Sequence, residues 1–399
     1  MRNIVLFLLF SLVVVHCDRP VNDKPVLPIL VWYNSELSGV TEPVLDNLGS
    51  AGFNLAAMPF DSKEKNLEWL NIADSLGIQL ILSDHRIDRY IQDPLAHPEV
   101  LDSMMADYMH HASFAGYFIY DKPDSQIFKK LSACIQYLNE GDPYHPSFIN
   151  LYPVPGEQGF YYELWQVMDH ILPRLVCFEQ YPEIGEGSIY YENLEALRSV
   201  CLKQNVPYWV TLITTMNHVN EAMEKSQLKM QVYSALAYGA TGLAFYSSSV
   251  SDESQNNGFN NNHKSSKLEY FDYICELNRH VEEISPVQEK LSSTGVFHTH
   301  PVPQGCIPLS PGLPITQVDT DQFLIGLFTL DDQDYAWLVN KNIEYGAAPQ
   351  ITFDPKVRGI KEIGDPDQNT QYQWSDAGEH KVRLIFNAGE GRLFRLKRE

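Results

Sequence analysis

Short apolar segments alternate with longer amphipathic segments along the sequence from residue 28 to residue 246. Eight apolar segments have the length of buried strands: Pro28–Tyr33, Phe53–Pro59, Gln79–Ser83, Phe114–Tyr120, Pro146–Tyr152, Leu175–Phe178, Tyr208–Ile213 and Gly242–Tyr246. Between them, apolar residues recur every three or four positions, as on one face of a helix; examples are Leu67–Leu76, Val100–His111, Gln126–Leu138 and Ser226–Tyr238. Eight strand–helix repeats predict a closed (β/α)₈ TIM barrel of the α/β class.

An open, doubly wound parallel sheet would have the same alternation of strands and helices. Sheets of that kind that bind nucleotides carry a glycine-rich phosphate loop directly after the first strand. The segment after Tyr33 contains no such loop. We therefore favour the closed barrel.

The pattern changes after a closing helix predicted at Leu268–Ile284, which we expect to end at Ser285-Pro286. From about Gly295 onward, short apolar segments are separated by Asp-Asp, Asp-Pro and glycine-containing turns, with no helical spacing between them: Phe323–Leu327, Tyr335–Val339, Gln350–Phe353, Val382–Phe386 and Gly391–Leu396. This pattern predicts a C-terminal antiparallel β-sandwich. We place the barrel at residues 25–290 and the sandwich at residues 291–399.

The N-terminus has the features of an export signal. Arg2 precedes the apolar run Ile4–Val15, which is shorter than the roughly 20 residues that a membrane-spanning helix needs. We predict a signal peptide at residues 1–17 and an exported protein, in the periplasm or at the cell surface. Cys17 stands where a bacterial lipoprotein would be lipidated, although His16 is larger than the residue that normally precedes such a cysteine. A lipid anchor to the outer membrane through Cys17 is left open.

The charge and the cysteines limit the partners. The formal net charge is −22, from 51 acidic and 29 basic residues, and no cluster of Lys and Arg is present. Because nucleic-acid binding requires such clusters, we exclude nucleic acid as a partner. The five cysteines after Cys17 form no CxxC pair or metal-ligand spacing, so we predict no metal and no cofactor.

The active site of a barrel of this kind lies at the C-terminal ends of its strands. Tyr and Trp side chains stack on the apolar faces of sugars, and Asn and Asp side chains bind sugar hydroxyls. Aromatic, amide and acidic residues at the predicted strand ends therefore suggest a carbohydrate ligand. The candidates for substrate binding are Trp32, Asp84, Tyr120, Asn150, Tyr152, Tyr181 and Tyr246.

Some residues at the strand ends also have purely structural interpretations. Asp121 could cap the following helix, since Asp is a favourable capping residue. Asp84-His85-Arg86 could form a local salt-bridged turn, and His218 could be a solvated loop histidine. These interpretations stay open on the sequence.

The segment Gly116-Tyr117-Phe118-Ile119-Tyr120-Asp121-Lys122-Pro123 resembles the strand-four motif of a known group of proteins. These are glycoside hydrolase-like barrels of gut Bacteroidetes, related to clan A and to the family 42 β-galactosidases, and their motif reads Gly-aromatic-x-x-x-Asp-Glu-Pro. Further segments match this group in order and spacing: 149–153, 177–182, 235–242, 276–278 and 295–297. The resemblance covers roughly residues 28–345 and implies a barrel that acts on glycosidic bonds.

This sequence departs from the motif where the resemblance implies the catalytic acid/base. Lys122 stands in place of that Glu, and the seventh strand, where the group implies the nucleophile, offers no carboxylate over 211–218. Two carboxylates remain at the mouth, Asp121 on strand four and Glu179 on strand six. Because these strands are not neighbours, we expect a gap wide enough for a water molecule, as in an inverting hydrolase.

Three hypotheses follow, with Asp121, Glu179 and Lys122 as catalytic candidates. The first is a glycoside hydrolase that uses Asp121 and Glu179. The second is a catalytically inactive barrel that binds glycan within a polysaccharide-utilisation system, because Lys122 has replaced the proton donor. The third is a lysine-dependent carbon–carbon enzyme, in which Lys122 forms a Schiff base with a carbonyl substrate.

Overall fold

A computed structural model describes nine stretches of the chain: residues 26–32, 42–93, 99–153, 159–180, 188–214, 224–246, 265–365, 371–374 and 379–398. The predicted signal at residues 1–17 and the possible anchor at Cys17 lie outside the described residues. Tyr181 and His218 lie outside them as well. Within these stretches, no helix has the length and apolar content that crossing a membrane would require.

Eight parallel strands close into a barrel, as the alternating pattern predicted. They are β1 Ile29–Trp32, β2 Leu55–Asp61, β3 Gln79–Asp84, β4 Phe114–Asp121, β5 Ser147–Leu151, β6 Leu175–Glu179, β7 Tyr208–Ile213 and β8 Gly242–Tyr246. The last strand pairs with the first, with Trp32 opposite Tyr246. This closure rules out the open, doubly wound sheet.

Helices connect the strands and cover the outside of the barrel. In the described stretches they are α1 Glu42–Ser50, α2 Lys63–Leu76, α3 His85–Gln92, α4 Glu99–Tyr108, α5 Phe128–Gly141, α6 Gly159–His170, α7 Ser188–Gln204, α8 Lys225–Tyr238 and α9 Ser265–Gln288. Helix α2 begins four residues before the predicted Leu67, because Ser62 caps its polar first turn by accepting a hydrogen bond from the Lys65 N–H. Helix α9 continues through Pro286, contrary to our expectation. A proline in the last turn removes only its own N–H, and the Glu289 N–H still reaches the Ser285 carbonyl oxygen.

The side chains of the barrel strands alternate between two cores. One set fills the barrel interior: Leu30, Leu55, Ala57, Ile81, Phe118, Phe148, Leu175, Cys177, Trp209 and Ala244. The other set points outward and packs against the helices. Side chains of a regular strand point alternately to its two sides. A residue two positions from an interior-facing residue therefore normally faces the interior as well.

A bulge in β4 changes this alternation just before the strand ends. Phe118 pairs with Phe148 and Asp121 pairs with Asn150, so three steps on β4 match two steps on β5. The extra residue, Ile119, is buried in the helix-facing core, and Tyr120 also packs on that side. The bulge therefore places Asp121 level with the interior-facing Asn150.

The C-terminal part forms two further sheets, which give the predicted sandwich. The strands are β9 Ser292–His298, β10 Ile307–Pro308, β11 Ile315–Val318, β12 Phe323–Leu330, β13 Gln333–Asn340, β14 Gln350–Phe353, β15 Val357–Ile363, β16 Gln371–Gln373, β17 Lys381–Arg383 and β18 Gly391–Arg398. One sheet has the order β10-β9-β12-β13-β18-β15-β16 and the other the order β11-β14-β17. All neighbours are antiparallel except β9 and β10.

The larger sheet of the sandwich packs directly on helix α8 of the barrel. A side chain at Gly326 would meet the Ala237 carbonyl oxygen at 2.2 Å, so only glycine permits this approach. The Trp337 indole N–H donates to the Gln288 side-chain oxygen at 2.8 Å, and the Tyr238 hydroxyl and His298 Nε2 share a hydrogen bond of 2.9 Å. These buried polar groups are paired across the junction.

Candidate active site at the barrel mouth

Two carboxylates and an amide meet at the C-terminal ends of β4, β5 and β6. The Asn150 amide nitrogen, Nδ2, donates to Asp121 Oδ1 at 2.8 Å and to Glu179 Oε2 at 2.7 Å. Asn150 and Glu179 are buried, with 3% and 7% of their surface exposed. Strand β5 lies between β4 and β6, so the amide on the middle strand reaches both carboxylates. This group of three residues is called the carboxylate pair with its bridging amide.

The distance between the two carboxylates differs from our expectation. Both oxygens lie within 2.8 Å of one nitrogen, so they cannot be farther apart than twice that distance. Inverting hydrolases need a wider separation, roughly 6.5–9.5 Å between the carboxyl groups, whereas retaining hydrolases have about 5–5.5 Å. The two bridged oxygens are therefore closer together than the expected gap, and the side chain of the intervening strand fills the space between them.

Lys122 also points into the mouth, although it follows Asp121 directly. Successive residues of a regular strand face opposite sides. Lys122 has a φ of 52°, in the left-handed region, which turns the chain at the strand end. Its backbone N–H donates to the Asn150 carbonyl oxygen at 2.8 Å, and its ammonium binds Glu179 Oε1 at 2.9 Å. The ammonium also lies 5.1 Å from the centre of the Tyr152 ring.

Asp121 is poised to hold a proton more tightly than an ordinary aspartate. Partial burial of its carboxyl group raises its pKa, and the negative charge of Glu179 adds to this effect. The hydrogen bond from Asn150 and the charge of Lys122 lower the pKa but do not outweigh the other two effects. A raised pKa favours the protonated form that a general acid needs, so Asp121 is the candidate proton donor.

Lys122 is held in its charged form. Burial alone would lower the pKa of its ammonium, but the hydrogen bond and the charge of Glu179, together with the charge of Asp121, outweigh burial and raise that pKa. A Schiff base requires a neutral amine as the nucleophile. This environment weakens the hypothesis of a lysine-dependent carbon–carbon enzyme.

Aromatic residues form the floor and one wall of the mouth. Trp32 lies across the barrel interior, with its ring edge-to-face against Phe118 at 5.0 Å and against Phe148 at 6.0 Å between centres. Tyr246, opposite Trp32 on the neighbouring strand, has a pKa raised by burial and by the charge of Glu179. Tyr246 therefore lies near the carboxylate pair, and Trp32 lies beside Tyr246 in the strand pairing.

Two of the predicted substrate-binding residues lie on the outer side of the strands instead. Tyr120 packs against the helix-facing core because of the bulge in β4. Asp84 is 3% exposed and accepts hydrogen bonds from the Arg86 guanidinium and from the Tyr108 hydroxyl of α4. Asp84 is thus part of a salt-bridged turn, the structural interpretation that the sequence left open for it.

The described residues also add groups that the strand-end rule overlooked. Phe118 and Phe148 belong to the floor. Phe148 lies two residues before Asn150 and so faces the same side, whereas Phe118 faces the same side as Asp121 only because of the bulge between them. Thr211 on β7 pairs with Glu179 in register, is 1% exposed, and shares a contact of 3.3 Å with the Cys177 sulfur. Among the described stretches, no group of three or more His, Cys, Asp or Glu side chains could hold a metal ion.

The fold and the mouth together define the protein's structural class: a (β/α)₈ barrel with a C-terminal β-sandwich, in which Asp121 and Glu179 share an amide at the C-terminal end of the barrel. No protein-family model matches the sequence, and no curated protein matches it either.

Solved structures with a similar fold include glycoside hydrolases. A catalytic mutant of the GH42 β-galactosidase Gan42B from G. stearothermophilus has a TM-score of 0.62 at 7% identity, covering 94% of this chain and 99% of that one. The β-galactosidase from Bacillus circulans sp. alkalophilus has a TM-score of 0.60 at 8% identity, covering 94% and 100%. A family 5 glycoside hydrolase from Bacteroides vulgatus has a TM-score of 0.58 at 9% identity, covering 92% and 88%. At these identities the likeness establishes the shared fold.

Proposed function

We propose that the protein is a glycoside hydrolase that cleaves an oligo- or polysaccharide at the mouth of the barrel. The observation that carries the proposal is the carboxylate pair with its bridging amide. Asp121 has a raised pKa, and the Glu179 carboxylate forms an ion pair with the Lys122 ammonium. Hydrolases of this kind require one carboxyl group that gives a proton and one that is ionised.

In the proposed reaction, Asp121 donates its proton to the glycosidic oxygen as the bond to the leaving group breaks. The Glu179 carboxylate forms a bond to the anomeric carbon and gives a glycosyl ester. Water then attacks that carbon, the Asp121 carboxylate takes the proton from the water, and Glu179 leaves as a carboxylate. The short separation of the pair supports this two-step, retaining course.

Several residues support a carbohydrate as the ligand. Tyr152 and Tyr246 offer aromatic surface beside the carboxylate pair, and Trp32 and Asn150 offer polar atoms at the floor of the mouth. The predicted role of Tyr181 in substrate binding is part of this proposal. The relation to family 42 also belongs here, since it rests on the strand-four motif and is supported by the shared barrel and sandwich.

The test is hydrolysis of a panel of aryl galactosides, glucosides, fucosides and xylosides. Asp121→Asn and Glu179→Gln should each lower turnover roughly 10²- to 10⁴-fold. Glu179→Gln removes the nucleophile, and Asp121→Asn removes the base that takes a proton from water in the second step, which every leaving group requires. Glu140→Gln, an exposed carboxyl on α5, is the matched control and should leave turnover unchanged. Retention of the anomeric configuration, followed by proton NMR, should accompany cleavage. Full turnover in both site variants would end the proposal.

One observation favours a second candidate, a barrel that binds glycan without cleaving it. Lys122 occupies the place of the motif's acid/base and holds Glu179 Oε1 in an ion pair. If this pair blocks catalysis, the protein should bind oligosaccharides but cleave neither those nor aryl glycosides. Aryl glycosides with good leaving groups need little protonation, so a slow enzyme with a weak donor should cleave them far better than natural oligosaccharides. The ratio of the two rates separates an impaired enzyme from a binding protein.

A further inference from the structure

Two buried polar atoms at the floor of the mouth have no hydrogen-bond partner among the described residues. One is the Trp32 indole nitrogen, which can only donate, and the other is the Asn150 amide oxygen, which can only accept. Most buried polar groups in proteins are paired, because an unpaired one has lost its hydrogen bonds to water without replacement. Several other buried side-chain atoms of the described residues also lack a hydrogen-bond partner there, but they lie away from the mouth. The position of these two at the C-terminal ends of barrel strands is what points to a ligand.

The orientation of the Asn150 amide is fixed by its neighbours. Its nitrogen faces the carboxylates of Asp121 and Glu179. A flipped amide would place its oxygen against two carboxylate oxygens, which accept hydrogen bonds and do not donate them when ionised. The amide oxygen is therefore directed away from the carboxylates.

Both atoms border the same layer of the barrel. Asn150 is the next interior-facing residue after Phe148 on β5, and the Trp32 ring packs against Phe148 and Phe118. Edge-to-face contacts with both phenylalanines hold the Trp32 ring at the floor, where its N–H is the group available as a hydrogen-bond donor. This differs from the stacking surface that a tryptophan at a sugar site suggests.

We propose that the Trp32 indole N–H and the Asn150 amide oxygen recognise hydroxyl groups of the sugar that binds against Asp121 and Glu179. The N–H donates to one hydroxyl oxygen, and the amide oxygen accepts from a hydroxyl hydrogen. The site would thus select a neutral sugar with hydroxyls on its deepest edge, and reject analogues that lack them. This inference rests on the proposed function, because it assumes that a sugar binds at the mouth.

The experiment measures binding alone, by isothermal titration calorimetry. The probes are methyl β-D-galactopyranoside, methyl β-D-glucopyranoside and each monodeoxy derivative of the two. Trp32→Phe removes the N–H and keeps an aromatic ring. Trp209→Phe, a deeper interior tryptophan that also contacts Phe148, is the matched control. The folding of each variant is checked by its melting temperature.

One monodeoxy sugar should bind the native protein about tenfold more weakly than its parent, and Trp32→Phe should weaken binding of the parent by about tenfold. In the variant, that same deoxy sugar should bind as well as the parent, because the two changes remove one shared hydrogen bond. Trp209→Phe should change neither affinity. If Trp32→Phe binds the deoxy sugar about a hundredfold more weakly than the native protein binds the parent sugar, the two changes act independently and the inference is overturned.

The outcomes separate this inference from the proposed function. Hydrolysis of aryl glycosides without coupling between Trp32 and any hydroxyl overturns the recognition role alone. Coupling between Trp32 and a sugar hydroxyl, found without hydrolysis, supports the recognition role. It then favours the glycan-binding protein over the hydrolase. If neither probe series binds and no glycoside is cleaved, both proposals fail.

Discussion

Asp84 and Asp121 are the same residue type at the C-terminal ends of adjacent barrel strands, yet their environments are opposite. Asp84 faces the helices, where Arg86 and Tyr108 donate hydrogen bonds to its oxygens. Burial would raise the pKa of Asp84, but these hydrogen bonds outweigh it and lower that pKa. Asp121 faces the barrel interior beside Glu179, and its pKa is raised.

The difference shows what separates a structural carboxylate from a chemical one at a barrel mouth. The partners of Asp84 are cationic or hydroxyl donors, and they favour its charged form. Asp121 shares its main donor, Asn150, with a second carboxylate, so its charge is poorly compensated. We infer that the Asp84 cluster serves stability and the carboxylate pair serves chemistry.

The largest expected effect that tests the contrast between Asp84 and Asp121 is on the free energy of unfolding. Asp84→Asn should lower the free energy of unfolding by about 1.5–3 kcal/mol, because it weakens the charge-assisted hydrogen bonds to the half-buried Arg86 guanidinium and leaves Asp107 as its carboxylate partner. Asp121→Asn should leave stability unchanged or raise it, because it removes a poorly compensated charge. Urea unfolding of the two variants measures both values. Equal losses in the two would show that both carboxylates are structural.

The second prediction concerns the pH dependence of these values. The folded-state pKa of Asp84 lies below its ordinary value of 3.8. The Asp84 carboxylate therefore stabilises the fold fully above pH 3.8, and this contribution is lost as the pH falls through the folded-state pKa. The difference between the native protein and Asp84→Asn should therefore shrink in unfolding experiments at about pH 3.

Asp121 should behave in the opposite way, which provides the internal control. Its folded-state pKa is raised, so its charged form weakens the folded state above that pKa, and this cost disappears as the pH falls. Any gain from Asp121→Asn at neutral pH should vanish in acid. Parallel pH profiles for the two variants would contradict the assignment of opposite environments.

The third prediction is a shift in the pH profile of activity rather than a loss of stability. Lys122→Met removes the positive charge that lowers the pKa of Asp121, so that pKa should rise. The limb of the profile at which Asp121 loses its proton should move to higher pH. Unfolding should change by less than about 1 kcal/mol, since the Lys122 side chain is 42% exposed.

Lys65→Met is the matched control for Lys122→Met. Lys65 forms an exposed ion pair with Glu68 on α2, at 2.9 Å. Its loss should leave the pH profile of kcat/KM unchanged. A shift of the same size in both variants would mean that net charge, rather than contact with the carboxylate pair, sets the profile.

The smallest expected effect is at Tyr152, whose ring faces the Lys122 ammonium. Tyr152→Leu should weaken oligosaccharide binding by at most roughly two- to fivefold, because the half-exposed ring acts mainly by holding the Lys122 ammonium in place, a contact of about 0.5–1 kcal/mol. Calorimetric titration measures the change. A loss above a hundredfold would place Tyr152 at the centre of the ligand site instead of at its edge.

The architecture could be predicted from the pattern of apolar residues. Eight strand segments and their helices follow from local periodicity, and closure is favoured because no glycine-rich phosphate loop follows the first strand. The sandwich was only partly predictable. Strands such as β15 Val357–Ile363, with the sequence VRGIKEI, mix charged and apolar residues. They are held in the sheet by their neighbours rather than by a strong pattern of their own.

The sequence by itself determined that Asp121, Asn150 and Glu179 stand at the ends of three successive strands. Only the tertiary structure decided which way the side chains point. The bulge at Ile119 sends Tyr120 outward and Asp121 inward, and the left-handed turn at Lys122 brings its ammonium to Glu179. Both features arise because backbone register is set by pairing between strands distant in sequence, which a local pattern of polar and apolar residues does not encode.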